Sequence, residues 1–282
     1  MRKNISLVIK GFIIGIANII PGVSGGTLAI TLGIYEKLIE TIGHFFSNLK
    51  ENLKFLIPIG VGAGLSIVVL SNIIKYSLKY YKLPTTLFFV GLIVGGLPLL
   101  VKKIKEDKNY KKDYSNYVVL VITFVLVAMF AFMKDSGAKV VLEHMMFVDY
   151  LKLFLVGVVA AGTMVIPGIS GSFVLMLLGY YEPIINVISD VTHFNNIINN
   201  GLIILPFGLG IIIGIVVIAR IIEYLLSKQP IKTYYGIIGF VCASLIAILM
   251  PLFSLTFNIA NILIGLVLMF VGIIIAYKLG DD

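Results

Sequence analysis

The sequence is poor in charge and in the residues that build catalytic or metal centres. Only 13% of its 282 residues are charged, whereas a typical soluble domain carries about 25%. Tryptophan is absent, the only cysteine is Cys242, and the three histidines, His44, His144 and His193, lie far apart in the chain. A single cysteine excludes an intrachain disulfide. Histidines without metal-ligand spacing predict no metal site.

In place of charge the chain has long apolar runs. Hydrophobic residues make up 59% of the sequence, and several runs approach the roughly 20 residues that a helix needs to cross a bilayer. The sequence therefore predicts an all-α integral membrane protein whose main solvent is lipid. The net charge of +8 lies in short connections between the runs. This placement is typical of cytoplasmic loops and argues against a nucleic-acid partner.

The sequence contains one unit twice. Residues 20–36 are IPGVSGGTLAITLGIYE, and residues 166–182 are IPGISGSFVLMLLGYYE. Equivalent residues are 146 positions apart in these segments and 148 positions apart further along the chain. The match extends over most of two halves. Such self-similarity indicates a duplication. We predict a single transmembrane domain over residues 1–282, with repeats at 5–133 and 150–279 and a polar connector at 134–149.

Each repeat consists of one broken segment and three uninterrupted apolar runs. The broken segments are 11–38 and 152–185, and the runs are about 53–74, 84–101, 117–133, 201–219, 234–250 and 261–278. If each broken segment is re-entrant, each half crosses three times, so the second half is inverted. A cytoplasmic N-terminus then places 16 lysines and arginines inside and 6 outside. This bias predicts six crossings, two re-entrant segments and both termini in the cytoplasm.

A Pro-Gly pair interrupts each broken segment, at Pro21 with Gly22 and at Pro167 with Gly168. Proline removes a backbone donor and glycine adds conformational freedom, so each pair ends a helix. Backbone left unpaired at membrane depth is tolerated only where protein or a wet cavity covers it. The alternative is a packing device, in which the kink lets neighbouring helices approach closely.

A serine follows each break and suits the N-cap of a second, short helix. The free amides of a helix N-terminus bind anions, and phosphate in particular. Two such termini related by inversion would face each other across the membrane midplane. The sequence therefore predicts a phosphate site made by Ser24, Gly25, Gly26, Thr27, Ser170, Gly171 and Ser172.

Seven further positions each have two interpretations. Glu36 and Glu182 end the repeated element; each is either an interfacial residue in water or a group that couples transport to a proton or sodium ion. Arg220 either extends to the membrane surface or grips a phosphate, and Lys75 is similarly placed in the first half. Polar groups within apolar stretches contact either a substrate or another helix: Asn18, Asn72 and Thr163.

The paired PGVSGGT and PGISGSF elements, each followed by G-x-Y-E, resemble the polyprenyl-phosphate transporter family. The resemblance covers essentially the whole chain. It implies a carrier that returns undecaprenyl phosphate from the outer to the cytoplasmic leaflet of the bacterial plasma membrane, so that the lipid is recycled for envelope polymers. It also implies that polyprenyl phosphate and the bilayer are the partners, with no cofactor and no metal.

The repeat plan is also similar to that of undecaprenyl pyrophosphate phosphatases, which pair acids with the first loop and use an arginine in the second. Here residues 11–35 contain no acid, and Gly171 and Ser172 follow Ser170 where those enzymes have arginine. Hydrolysis needs a nucleophile, an acid or base and charge stabilisation around one phosphoryl group. The comparison favours a transporter over an enzyme. A lipid-phosphate phosphatase and a small-anion transporter remain the alternatives.

Overall fold

The computed structural model describes residues 2–19, 23–107, 110–132, 140, 142, 145–168, 170–192, 197–253, 256 and 258–280. The break at Pro21 and Gly22, together with His144, His193 and most of the predicted connector, lies outside these residues, as do the side chains of Asn18, Asn72 and Lys75. Within the described part every regular element is helical, which confirms the prediction of an all-α membrane protein.

The described residues form twelve α-helices in two series of six. The first series is α1 (Arg2–Ile19), α2 (Gly25–Thr31), α3 (Tyr35–Gly43), α4 (Leu49–Tyr80), α5 (Lys82–Glu106) and α6 (Tyr114–Phe132). The second is α7 (Phe147–Val165), α8 (Gly171–Leu177), α9 (Tyr181–Thr192), α10 (Ile197–Lys228), α11 (Pro230–Leu249) and α12 (Ile259–Gly280). A 3-10 turn, Met250–Leu252, extends α11. The helices α4 and α10 stay continuous through Pro58 and Pro206.

Six described helices are long and apolar enough to cross a membrane: Leu49–Leu70, Lys82–Glu106, Phe147–Val165, Ile198–Lys228, Pro230–Leu252 and Ile259–Gly280. The chain is therefore a multi-pass membrane protein. The set differs from the predicted one in one member. Phe147–Val165, expected as the first limb of a broken segment, is long enough to span, whereas Tyr114–Met129, in the run expected at 117–133, is a shorter apolar helix.

Glycines bring α1 against α4 and α7 against α10 at backbone distance. A Cβ added at Gly62 would lie 2.0 Å from the carbonyl oxygen of Val8, and one at Gly210 would lie 2.1 Å from that of Phe154. Helices in lipid associate through close backbone packing, which only small residues permit. Each long helix, α4 and α10, thereby fixes the first helix of its own series.

The other two long pairs join the two series. Helix α5 packs along α12, and α6 packs along α11. Gly91 of α5 lies against the backbone of Met269, and Gly239 of α11 lies against that of Leu120. The last helix of each series is therefore packed on the fifth helix of the other, so the halves are interlocked.

The short helix α2 lies at the centre of the molecule. All its residues from Gly26 to Thr31 are buried, and Leu28 is fully buried beside Ile39 of α3 and Phe89 and Ile93 of α5. Large apolar side chains on α6, α10 and α12 are instead exposed, as lipid-facing helices require. The short helix α2 is thus placed inside the protein, away from lipid.

A matching turn ends α2 and α8. Gly33 and Gly179 have φ of 69° and 75°, a left-handed conformation that glycine adopts without steric cost. The amides of Ile34 and Tyr180 donate to the carbonyls of Ala29 and Leu175, at 3.0 and 2.9 Å. This is the Schellman arrangement, and it sends the chain directly into α3 and α9.

Candidate functional site

Ser24 occupies the N-cap of α2, as predicted, but its hydroxyl does not cap the helix. Its backbone is extended, with φ of −95° and ψ of 131°, and its carbonyl accepts from the amide of Thr27 at 3.1 Å. The hydroxyl forms no hydrogen bond in the described part of the chain, although the residue is only 5% exposed. A buried polar group without a partner costs about 1–3 kcal/mol. The hydrogen-bonding capacity of this oxygen is therefore unused within the described residues.

The two broken segments meet at α2. The amide of Gly168, in the second break, donates to Oγ1 of Thr27 at 2.8 Å, although 141 residues separate them. Thr27 is 1% exposed, so this bond lies in the interior. Gly168 has φ of 88°, and its Cα faces the carbonyl oxygen of Phe240 on α11. Thr27 and Gly168, both predicted site residues, are thus held together by tertiary structure.

The C-terminal end of α7 lies against the start of α2. A Cβ at Gly26 would lie 3.1 Å from the carbonyl oxygen of Val165 and 3.4 Å from Oγ of Ser24. The hydroxyl of Tyr35 donates to the same Val165 carbonyl at 3.1 Å. Glycine at position 26 therefore leaves room for this approach, and Tyr35 pairs a carbonyl that the end of α7 leaves free.

Tyr35 was not among the predicted site residues. Its signal was nevertheless in the sequence, because the repeated G-x-Y-E places Tyr35 and Tyr181 at equivalent positions. Pattern alone does not show that the first tyrosine reaches across to the other half. That contact depends on how α3 and α7 are packed.

The second break has a related but different arrangement. Ser170 occupies the N-cap of α8, with φ of −93° and ψ of 124°, close to the values at Ser24. The hydroxyls of Ser170 and Ser172 share a hydrogen bond of 2.8 Å. Both residues are partly exposed, and Gly171 lies against the carbonyl oxygen of Ala160 in its own series. The hydroxyls of the second break are therefore paired and reachable, whereas that of Ser24 is buried and unpaired.

Arg220 lies at the end of α3. Its Nε donates to the carbonyl oxygen of Gly43, the last residue of α3, at 2.9 Å. One turn further along α10, Glu223 contacts Nδ1 of His44 at 3.0 Å. In the described residues no hydrogen bond joins Arg220 to Ser24 or Ser170. The arginine, a cation near the negative end of a helix dipole, ties α10 to α3.

Glu36 joins three helices from the two series. Its Oε1 accepts hydrogen bonds from Nζ of Lys103 on α5 and from the hydroxyl of Tyr234 on α11. A cavity of about 20 Å³, enough for about one water, lies beside these three side chains. Glu182 occupies the matching place in the first turn of α9 and is exposed.

Two smaller points complete the site. Thr163 bonds the carbonyl oxygen of Ala160 in its own helix at 2.8 Å, so its hydroxyl is used locally. Across the described residues, no group of three or more histidine, cysteine, aspartate or glutamate side chains is placed to hold a metal ion.

Comparison with known proteins gives the family. Residues 14–262 match the family described as undecaprenyl phosphate translocase-like. A polyprenyl-phosphate transporter of Staphylococcus aureus (strain NCTC 8325 / PS 47) is 35% identical over 281 residues, covering 97% of this chain and 95% of the relative. A polyprenyl-phosphate transporter of Vibrio cholerae serotype O1 is 28% identical over 255 residues, covering 86% and 76%. No solved structure matches the chain.

The family agrees with the prediction made from the paired motifs. Both relatives are named as transporters and not as enzymes, which supports the choice of a carrier over a hydrolase. The match also covers both breaks and the helices that hold them. The chain belongs to the undecaprenyl phosphate translocase-like family.

Proposed function

We propose that this protein carries a polyprenyl phosphate, undecaprenyl phosphate in the first place, across the plasma membrane with its phosphate held between the two breaks. One observation carries the proposal. The Gly168 amide bonds Thr27 in the interior, and the unpartnered Ser24 hydroxyl lies three residues before Thr27, at the N-cap of the same short helix. The names of both relatives supply the class of lipid.

The chemistry of the site suits a phosphate. The first amides of α2 and α8 have no partner within their helices, and a helix N-terminus attracts anions. Ser24 supplies a buried hydroxyl, while Ser170 and Ser172 supply a reachable pair. Hydroxyls and amides hold the anion without a fixed positive charge, so the lipid is bound and still released. Arg220, engaged with Gly43, would then hold α3 in place and not grip the phosphate.

Glu36 favours transport over hydrolysis. A hydrolase needs a proton donor or acceptor at the phosphoryl group. Glu36 is the first acid after Ser24 in the sequence, and it is already bonded to Lys103 and Tyr234. Glu36 is therefore not placed to exchange a proton with the hydroxyls of the breaks. Without that step the phosphate ester is left intact.

Two inverted repeats would give the carrier its alternating access. The recurrence of helix order supports them, because α4 and α10 are both 32 residues long and α2 and α8 are both 7. The equivalent pairings of α1 with α4 and α7 with α10 support them as well. In such a plan the site lies near the midplane, and one half rocks against the other. The lysine-rich connections support a cytoplasmic position for both termini.

Transfer in reconstituted liposomes tests the site. Labelled polyprenyl phosphate is placed in one leaflet, and its arrival in the other is followed for the parent protein and for the double variant Ser24→Leu with Ser170→Leu. We expect transfer to stop, because each substitution replaces a hydroxyl proposed to bind the phosphate with a bulky apolar side chain. Ser227→Leu, an exposed position at the end of α10, is the control and keeps full transfer. Full transfer by the double variant would refute the site.

Coupling to a proton or sodium ion is proposed at Glu36 and Glu182. The motivation is that the repeat places an acid at the start of both α3 and α9. The double variant Glu36→Gln with Glu182→Gln should lose the dependence of transfer on sodium and on pH. If that dependence is unchanged, the coupling groups lie elsewhere and the assignment is dropped.

A further inference from the structure

A groove on the outer face of α5 runs to the lysine-rich end of the helix. Val94, Leu97, Val101 and Lys105 follow one another at three- and four-residue spacing, so they form one stripe on the helix. The groove that they line with Pro98 and Lys102 is open along its side and has a volume of about 720 Å³.

The groove is apolar along its length and basic at one end. Val101 is 41% exposed, and Pro98, Lys102 and Lys105 are also exposed. Glu106 is the acid in the same lining. Lys103, which lies between the two groove lysines, points to the other side and bonds Glu36. The groove therefore offers an apolar channel for a chain and two cations for a head group.

A second cavity lies next to this groove and reaches the end of α2. It encloses about 250 Å³ and shares Pro98 and Lys102 with the groove. Thr31, the last residue of α2, lines it, and the Thr31 hydroxyl bonds the carbonyl oxygen of Thr27 at 3.2 Å. The seven residues of α2 span about 10 Å. The second cavity thus touches the C-terminal end of the short helix whose N-cap is Ser24.

We propose that this groove binds the polyprenyl phosphate a second time, on the cytoplasmic side, with the isoprenoid chain along α5 and the phosphate at Lys102 and Lys105. The inference rests on the proposed function. It assigns a release site to the lipid after it leaves the breaks. A lysine ammonium binds phosphate as a point charge, and an open groove lets the chain remain in the bilayer.

Photo-crosslinking of the full-length protein tests the groove directly. The protein is placed in nanodiscs of phosphatidylcholine with a photoreactive polyprenyl monophosphate, and labelled peptides are mapped. We expect label on α5, lowered about ten-fold or more by Lys102→Gln with Lys105→Gln. The control removes the same charge from the exposed segment before α6, with Lys111→Gln and Lys112→Gln, and leaves the labelling unchanged.

A separate substitution tests the apolar part of the groove. Val101→Trp should fill the groove and reduce the labelling, whereas Val121→Trp, on the exposed face of α6, should not. Unlabelled polyprenyl phosphate should compete, and neutral polyprenol should compete weakly. The proposal is overturned if α5 is not labelled, if both lysine pairs behave alike, or if phosphatidylglycerol competes as well as polyprenyl phosphate.

Ser24→Ala separates this proposal from the preceding one. Label on α5 in a chain that no longer transfers lipid supports a release site distinct from the breaks. Label on α5 together with full transfer by Ser24→Ala would leave the groove standing and the site at the breaks refuted. If transfer depends on Ser24 but α5 is not labelled, the site at the breaks stands and the groove is refuted.

Discussion

Ser24 and Ser170 occupy equivalent positions and have different surroundings. Both are N-cap residues in extended backbone, and neither hydroxyl caps its helix. The Ser170 hydroxyl is paired with Ser172, whereas the Ser24 hydroxyl is buried and unpaired. A protein that keeps an unsatisfied hydroxyl in its core loses stability. At the scale of the residue, we interpret this as the cost of an open binding site.

Ser24→Ala should separate stability from transport. Removing an unsatisfied hydroxyl should leave the free energy of unfolding unchanged or raise it by about 1 kcal/mol. Loss of a hydrogen bond to a charged phosphate should slow transfer about ten-fold or more. Thermal unfolding in detergent and transfer in liposomes measure the two effects.

Ser244→Ala is the matched control for Ser24→Ala. Ser244 is also buried, but its hydroxyl bonds the carbonyl oxygen of Val241 in the same helix at 2.8 Å. The variant should lose about 0.5–1.5 kcal/mol of stability and keep its transfer rate. If both variants change stability and transfer alike, Ser24 has no special role.

Tyr234→Phe should loosen the contact between the two series. The Tyr234 hydroxyl and Lys103 both donate to Glu36, and a hydrogen bond to a charged group contributes about 1.5–3 kcal/mol. We expect a lower unfolding temperature in detergent. The control is Tyr224→Phe, a tyrosine that is 62% exposed at the end of α10, and its unfolding temperature should not change. Equal unfolding temperatures for the two variants would contradict the role given to Glu36.

At the scale of the element, the long helices α4 and α10 have matching contact faces. Gly62 and Gly210 lie against the backbone of α1 and α7, whereas a Cβ at Gly60 or Gly208 would have no atom within 4 Å. Gly62 and Gly210 are 148 residues apart, and so are Gly60 and Gly208. Glycine is therefore required for packing at positions 62 and 210 and not at positions 60 and 208.

Alanine substitutions at these four positions test the faces. Gly62→Ala and Gly210→Ala should each cost about 1–3 kcal/mol, because the added methyl forces two helices apart. Gly60→Ala and Gly208→Ala should be neutral or stabilising by up to about 1 kcal/mol, as alanine favours a helix. Thermal unfolding of the purified variants measures this. A destabilised Gly60→Ala or Gly208→Ala would contradict the helix packing described above.

At the scale of the whole molecule, the two halves are interlocked and not merely adjacent. The helix α12 lies on α5, and α6 lies on α11. A half expressed alone would therefore expose the glycine-lined face of its fifth helix and lack the last helix of the other half. If the halves rock against each other as proposed, these pairings limit how far they separate.

Separate expression of the halves tests this interlocking. A chain cut within 134–149 gives two fragments, each of which should be degraded or aggregate when produced alone. Produced together, they should associate, be purified with a tag on either fragment, and recover transfer in liposomes. A first half that is folded and monodisperse on its own would show that the pairing across the series contributes little.

The sequence by itself determined that this is a helical membrane protein, and it determined which elements recur. The composition predicts a helical membrane protein because lipid offers no hydrogen-bond partners. A long apolar run must therefore form its backbone hydrogen bonds within itself, as a helix does. The doubled Pro-Gly-x-Ser-Gly motif and the G-x-Y-E that follows it located the short helices that begin after Ser24 and Ser170. The same residues gave the resemblance to the transporter family, which the comparisons confirm.

Only the tertiary structure decided which of these residues meet. Thr27 reaches Gly168, Tyr35 reaches the end of α7, and Arg220 binds the end of α3. Each contact joins residues more than 100 positions apart, and it depends on the crossing of several packed helices, which local pattern does not encode. The sequence also treated Ser24 and Ser170 as equal. Packing made one hydroxyl buried and unpaired, because burial is a property of the surroundings and not of the motif.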